Sequence, residues 1–230
     1  MDGVARKGRY SATTAGLKGR RRWTEPASTS GRLVVLPAPG LEGLVAEAIA
    51  HLGGADPAFA ALLAVDAHIP PGPPNGERGI ILLADEEALV RRAVQRTPAA
   101  GLRVVLTRGR LCDNWFSHWD APRRTALVSM ADWDGTLAVP AVAFVANEIV
   151  RHGLRLVAPA CDPDRLMHAD ARDCLFDFCE TRADIEAKLR AAGLCPACAT
   201  GLQAAGVPVA RALRLAEAIR FLATSAQVVH

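Results

Sequence analysis

Four cysteines in the C-terminal third constrain the chain more than any other sequence feature. Cys174 and Cys179 are separated by four residues, and after fifteen more residues Cys195 and Cys198 are separated by two. Zn²⁺ in structural sites takes four tetrahedral ligands, and thiolates supply both charge and softness. The spacing therefore predicts that these four cysteines hold one structural zinc ion, which would stabilise a lobe over residues 171–202.

The composition is that of an ordinary globular protein. Of the 230 residues, 50% are apolar and 22% are charged, and the formal net charge of +3 is too small for a general polyanion binder. The sequence has no recognisable export signal and no apolar run of membrane-spanning length. In that setting close cysteine pairs favour metal binding over disulfides, so we expect a cytoplasmic protein without membrane association. The abundant Ala, Arg, Gly and Pro suggest a bacterial source.

The first 31 residues differ from the rest of the chain. They are polar, rich in glycine, serine and threonine, and basic, with a cluster of charges at residues 18–23 (KGRRRW). This composition predicts a disordered basic tail. The alternative is an arm that contacts nucleic acid.

Strand and helix patterns alternate through residues 32–230. Buried strands are predicted at residues 33–36, 80–83, 102–107 and 125–130. Helices are predicted at residues 41–52, 85–96, 137–152, 181–192 and 209–224, the last as a closing amphipathic helix. This order predicts one α/β domain with a mixed sheet, flanking helices and the zinc-stabilised lobe at its C-terminal end.

The predicted helix at residues 137–152 ends in a polar group of side chains. Glu148 and His152 are four residues apart and can share one helical face. Glu148 can be interpreted as a metal ligand or a general base. A salt bridge to Arg151 or Arg155 is the alternative, because a buried carboxylate needs a partner.

Four segments, taken in order, resemble the archaemetzincins, a family of zinc-dependent metallopeptidases. They are residues 104–120 (VVLTRGRLCDNWFSHWD), 125–133 (TALVSMADW), 144–154 (FVANEIVRHGL) and the cysteine segment. The family has an HExxHxxGxxH motif, then two cysteines separated by four residues, then a distal CxxC that completes a structural zinc site. The resemblance implies a metzincin-like fold with that structural zinc.

At the family's catalytic positions this chain departs from the motif. In the HExxH register it has Asn147, Glu148 and Arg151, and Asp173 stands where the third histidine is expected. The resemblance thus implies a lost or remodelled catalytic zinc site, with Glu148 as its retained catalytic residue. A remodelled second site would use His152, His168 and Asp173 as ligands, with Glu148 as a ligand or as the base that activates a zinc-bound water.

Two classes of function follow from these patterns. The first is a zinc-binding, metallopeptidase-like protein, either a divergent hydrolase or a pseudo-enzyme that binds a peptide or protein ligand. The second is a zinc-ribbon interaction protein whose basic tail contacts nucleic acid. A hydrolase of the first class needs two zinc ions per chain, whereas a pseudo-enzyme or a zinc-ribbon protein needs one.

Overall fold

A computed structural model describes residues 31–66, 83–112, 116–131, 133, 137–157 and 166–225. The predicted tail, apart from residue 31, and the predicted strand at 80–83, apart from residue 83, lie outside the described residues. Cys161 lies outside them as well.

The described residues form strands and helices in alternation. The strands are β1 (Leu33–Pro37), β2 (Leu63–Val65), β3 (Leu102–Thr107), β4 (Ser117–Asp120) and β5 (Thr125–Ser129). The helices are α1 (Glu42–Ala55), α2 (Pro57–Ala60), α3 (Leu83–Arg96), α4 (Ala141–Val157), α5 (Arg182–Ala191), α6 (Pro196–Ala204) and α7 (Val209–Ser225). None of the helices in this part of the chain has the length and apolar character needed to cross a lipid bilayer.

The five strands form one mixed sheet in the order β2-β1-β3-β5-β4. β1 pairs in parallel with β2 and β3, and β3 pairs in parallel with β5. β4 pairs antiparallel with β5 and forms one edge of the sheet. The predicted mixed sheet of an α/β domain is confirmed.

The side chains of β1, β3 and β5 alternate between two apolar layers, one on each face of the sheet. Leu33 and Val35 belong to the main core with α1, α4 and α7, whereas Val34 and Leu36 pack with α3 on the other face. All residues of the three strands are largely buried, as expected for parallel strands that are covered on both faces.

Helix α4 crosses the main core and differs from the predicted helix at both ends. It begins at Ala141, directly after Pro140, and continues to Val157, five residues beyond His152. Gly153 lets α4 approach α2, because a Cβ atom at this position would lie 2.4 Å from Cζ of Phe59. Glu148 and His152 therefore lie inside a long buried helix and not at its end.

Helix α7 is tied to the α1–α2 corner by Asp56. The Asp56 carboxylate caps α2 through the backbone N–H of Phe59 at 2.8 Å and accepts hydrogen bonds from Arg211 and Arg214 of α7. Burial raises the pKa of Asp56, but the Phe59 amide and the two guanidinium groups outweigh it and hold that pKa below its usual value. The C-terminal helix is thereby fixed to the first half of the fold.

Two strands were not predicted. β2 is a three-residue strand with the sequence LAV, and β4 lies between the predicted strands at residues 102–107 and 125–130. β4 has the sequence SHWD, with exposed or half-buried side chains, as is common for an edge strand. Its strand geometry comes from pairing with β5 and not from its own apolar pattern.

Candidate metal centre and adjoining cleft

One group of side chains has the composition and geometry of a metal site. The ligand atoms of His168, Cys174, Cys195 and Cys198 all lie within 4.8 Å of one another. The three cysteines are buried, and the side chain of His168 is 10% exposed. Among the described residues this is the one group of three or more histidine, cysteine or acidic side chains close enough to share an ion.

The distances within this group match those of a tetrahedral zinc site. Nε2 of His168 lies 3.5 Å from Sγ of Cys195 and 3.6 Å from Sγ of Cys198. Tetrahedral zinc bonds of about 2.3 Å to sulfur and about 2.0–2.1 Å to nitrogen would separate the two atom types by about 3.5 Å. These side chains therefore fit one zinc ion as a Cys₃His ligand set.

The local backbone explains why Cys195 and Cys198 converge. Cys195 is the N-cap residue of α6, and Pro196 at the first helical position sets the direction of the helix. Cys198 follows one turn later, and the backbone N–H of Cys195 donates to Sγ of Cys174 at 3.4 Å. Burial raises the pKa of Cys195, but hydrogen bonds to its sulfur outweigh it and lower the pKa to about 7, whereas burial raises the pKa of Cys174 and Cys198.

A close approach of two backbone segments places Cys174 beside α6. Asp173 has φ 56° and its carbonyl accepts a hydrogen bond from the N–H of Gly193 at 2.9 Å. A Cβ atom on residue 193 would lie 2.5 Å from that carbonyl oxygen, so only glycine fits there. The Cys174–Gly193 bridge thus brings the first ligand to the last two.

Asp177 orients the histidine ligand and its surroundings. Its Oδ1 lies 2.8 Å from Nδ1 of His168, and its Oδ2 accepts hydrogen bonds from the backbone N–H groups of Arg172 and Cys174 at 3.0 Å each. A carboxylate on the far nitrogen of a zinc-binding histidine fixes the ring orientation and leaves Nε2 to the metal. The sequence pattern offered one sign of this role, a single acid inside the apolar run CLFDFC.

Cys179, which was predicted as the fourth ligand, lies outside this group. Its thiol donates to the backbone carbonyl of Asp177 at 3.7 Å, and its side chain lines a cleft. The reason is backbone pairing: the N–H of Phe178 donates to the carbonyl of His168, and this pairing brings His168 to the ligand group. The spacing of the cysteines does not show that His168 takes the place of Cys179 in the ligand group.

A cleft of about 580 Å³ adjoins the metal centre. It lies between β4, α4, α5 and the segment around Cys179. Its aromatic and aliphatic lining residues are Phe116, Trp119, Phe144, Met167, Phe178 and Ile185. Its polar lining residues are Ser117, His118, Asn147, Glu148, Arg151, Asp177 and Lys188. Since Asp177 and Cys179 line it, the cleft and the metal centre share a wall.

Glu148, the predicted catalytic residue, lies in this cleft among partners of its own helix. Its Oε1 accepts a hydrogen bond from Nδ2 of Asn147 at 3.0 Å, and its Oε2 lies 3.8 Å from Nη1 of Arg151 and 3.5 Å from Nε2 of His152. Burial raises the pKa of Glu148, but the contact with His152 and the charge of Arg151 outweigh it and lower the pKa to about 2. The carboxylate is therefore held ionised by His152 and Arg151, and the contact with Arg151 is the expected salt-bridge alternative.

The structure does not bring His152, His168 and Asp173 together as a second metal site. His152 is fully buried and stacks on Trp119 at 5.5 Å between ring centroids. His168 lies with the three cysteines, and Asp173 is exposed in the turn beside Gly193. His152 is one position beyond the motif register, which rotates its side chain about 100° around the helix.

The residues around Glu148 do not fit a catalytic zinc ion. In the motif register the neighbours of the glutamate are an amide, Asn147, and a guanidinium, Arg151. A guanidinium keeps its proton and repels a divalent cation. We derive no catalytic step through a metal at this position.

Lys188 is a cleft residue that was not singled out from the sequence. It lies on α5, is 8% exposed, and donates from Nζ to the backbone carbonyl of Asp177 at 3.1 Å. Burial lowers the pKa of Lys188. Its position three residues after Ile185 and beside Leu189 places it on the buried stripe of α5, a signal that the sequence did contain.

The fold is similar to that of archaemetzincin from Methanopyrus kandleri, known from a crystal structure. The TM-score is 0.51 with 17% sequence identity, and the similarity covers 79% of this chain and 98% of that chain. No family model and no curated protein matches the sequence. The expected archaemetzincin-like α/β fold is thus confirmed by the structure.

Proposed function

We propose that this protein is a zinc-stabilised, metallopeptidase-like pseudo-enzyme that binds an extended peptide without hydrolysing it. One observation carries the proposal: the guanidinium of Arg151 lies 3.8 Å from the carboxylate of Glu148, in the register where a catalytic zinc ligand would stand. An ion pair thus occupies the space that a metal would need. The Cys₃His centre has the structural role.

The state of Glu148 also argues against hydrolysis. A general base works best when its pKa lies near the operating pH. The pKa of Glu148 is lowered to about 2, so its carboxylate is a weak proton acceptor at neutral pH. Glu148 therefore acts as the anionic partner of Arg151 and not as a general base.

The peptide-binding part rests on strand β4. This strand ends the sheet, and Ser117, His118 and Trp119 line the cleft. The N–H of Ser129 donates to the carbonyl of Phe116, so the register of the β4–β5 pair directs the backbone groups of Ser117 and Trp119 outward. An extended peptide can pair with such an edge while its side chains contact the aromatic walls.

The proposal is tested by zinc content together with peptide binding. Protein purified without added metal should contain one zinc per chain, bind members of a random hexapeptide pool, and leave the pool uncleaved in mass spectra. Replacing Ser117 by proline removes an outward donor from β4 and should weaken binding while zinc content stays at one. Cleavage that depends on Glu148, or a second zinc ion, would contradict the pseudo-enzyme proposal.

The nucleic-acid alternative depends on the basic tail, which lies outside the described residues and stays a prediction. Retention on DNA that falls with salt and disappears on deletion of residues 1–30 would favour it. A cytoplasmic location is likewise an untested prediction.

A further inference from the structure

We propose that Lys188 and Arg151 bind a carboxylate of the peptide in the cleft. This inference rests on the proposed peptide binding and specifies the chemical class of the ligand. The carboxylate is either the C-terminus of the peptide or an acidic side chain.

The first step is the incomplete hydrogen bonding of Lys188. An ammonium group has three N–H donors, and one of them reaches the carbonyl of Asp177 at 3.1 Å. Among the described residues, no carboxylate oxygen lies within ion-pair distance of Nζ, although the residue is 8% exposed. A buried ammonium without an anionic partner is unfavourable, and a ligand anion would supply that partner.

The second step is that Arg151 lines the same cleft as Lys188. Its guanidinium contacts Glu148 and lies 3.3 Å from Sδ of Met167. Burial lowers the pKa of Lys188, and the charge of Arg151 lowers it further, whereas Glu148 and Asp177 raise it. An anion bound in the cleft would be attracted by both cations.

The third step concerns the acids that line the cleft. Oδ2 of Asp177 accepts hydrogen bonds from two backbone N–H groups, and its Oδ1 lies 2.8 Å from Nδ1 of His168. Glu148 is engaged by Asn147, Arg151 and His152. Both acids that line the cleft therefore have closer partners than Lys188.

The walls of the cleft favour a peptide carboxylate over a small inorganic anion. Phe144, Phe178 and Ile185 line the same space as Lys188 and offer apolar contacts to a neighbouring side chain. A carboxylate is also complementary in charge to Lys188 and Arg151. A peptide that ends in an apolar residue or carries one acid beside an apolar residue would satisfy both features.

The experiment compares, in equilibrium binding, three hexapeptide pools randomised over the same residues without aspartate and glutamate. The first pool has a free C-terminal carboxylate, the second is amidated, and the third is amidated but contains one fixed glutamate. We expect the first or the third pool to bind at least about tenfold more tightly than the second, the usual effect of a charge-assisted hydrogen bond. The pool that binds tightly identifies the source of the carboxylate.

The variant Lys188→Met removes the ammonium and keeps the apolar stem. It should abolish the preference for the carboxylate pool, while Arg190→Met, with the same change of charge on the same helix outside the cleft, should keep it. Zinc content and thermal midpoint check that both variants are folded, and if Lys188→Met does not fold, Lys188→Gln takes its place. Equal binding of all three pools overturns the carboxylate site but leaves peptide binding intact, whereas no binding to any pool overturns both proposals.

Discussion

Nδ1 of His168 lies 2.8 Å from Oδ1 of Asp177, while Nε2 of the same ring faces the sulfurs of Cys195 and Cys198. A carboxylate beside Nδ1 favours the tautomer with the proton on that nitrogen, which leaves the lone pair of Nε2 for a metal. Asp177 also supplies the backbone carbonyl that accepts from Lys188. This residue connects the metal centre with the cleft.

Replacing Asp177 by asparagine should lower the zinc affinity by about 10- to 100-fold, the usual cost of losing a carboxylate behind a zinc-binding histidine. An asparagine amide cannot accept from the His168 ring and from the two backbone N–H groups at once. The measurement is competition with a chromophoric chelator. Asp170→Asn is the matched control, because the Asp170 side chain lies in the same segment but is 78% exposed. Equal affinities for the two variants would contradict the role of Asp177.

Two single substitutions decide which residue is the fourth ligand. His168→Ala should lose zinc and destabilise the C-terminal lobe, since metal binding and folding are coupled in small zinc sites. Cys179→Ser should keep one zinc per chain, because the thiol lies outside the ligand group and contacts the carbonyl of Asp177. Elemental analysis and thermal unfolding with and without chelator measure both effects. Loss of zinc from Cys179→Ser with retention in His168→Ala would restore the four-cysteine set.

The main elements of the fold were predictable because their sequences carry local signals. β1 and β3 are apolar runs, and α5 begins with a capping box in which Thr181 and Asp184 bond each other's backbone N–H groups. β4 was not predictable, because an edge strand with the sequence SHWD has no apolar alternation and depends on β5 for its pairing.

The metal centre was predictable in chemistry but not in its full set of residues. The spacing of Cys174, Cys195 and Cys198 indicates a site, yet His168 enters through pairing with the segment after Cys174, a tertiary contact that no local pattern encodes. The helical spacing of Glu148 and Arg151 similarly allowed an ion pair as well as a metal site. Only the positions of the neighbouring side chains distinguish the two.

Replacing Arg151 by methionine should destabilise the fold by about 1–3 kcal/mol, because Glu148 would keep a buried charge without its guanidinium partner. This loss of stability is smaller than for a fully buried pair, since the Arg151 side chain is 18% exposed. Adding Glu148→Gln should recover part of the loss, and denaturant unfolding of both variants measures this coupling.

The control for this cycle is the exposed pair of Arg91 and Glu87 on α3, whose side chains are 52% and 55% exposed. Arg91→Met should change the stability by no more than about 0.5 kcal/mol. If Arg151→Met is as harmless as Arg91→Met, the ion pair does not hold Glu148 in place.

Lowering the pH should destabilise the fold through protonation of Glu148, the acidic member of the same ion pair. Its pKa is about 2 in the folded protein and 4.5 as the ordinary value, so the unfolded chain takes up the proton first as the pH falls. The resulting stability is fully present above about pH 4.5 and is lost between there and pH 2, with roughly 2 kcal/mol gone by pH 3. Burial also lowers the pKa of His152, so His152 acts in the same direction below its ordinary value of 6.5.

The measurement is the difference in unfolding free energy between the parent and Glu148→Gln from pH 7 to pH 3. The subtraction cancels the protonation of the zinc ligands, which is common to both proteins, whereas the contribution of His152 changes with its partner Glu148. The advantage of the parent should shrink by roughly 2 kcal/mol over this range. A difference that stays constant with pH would mean that Glu148 titrates normally in the folded protein, and that His152 and Arg151 do not hold it in the ionised state.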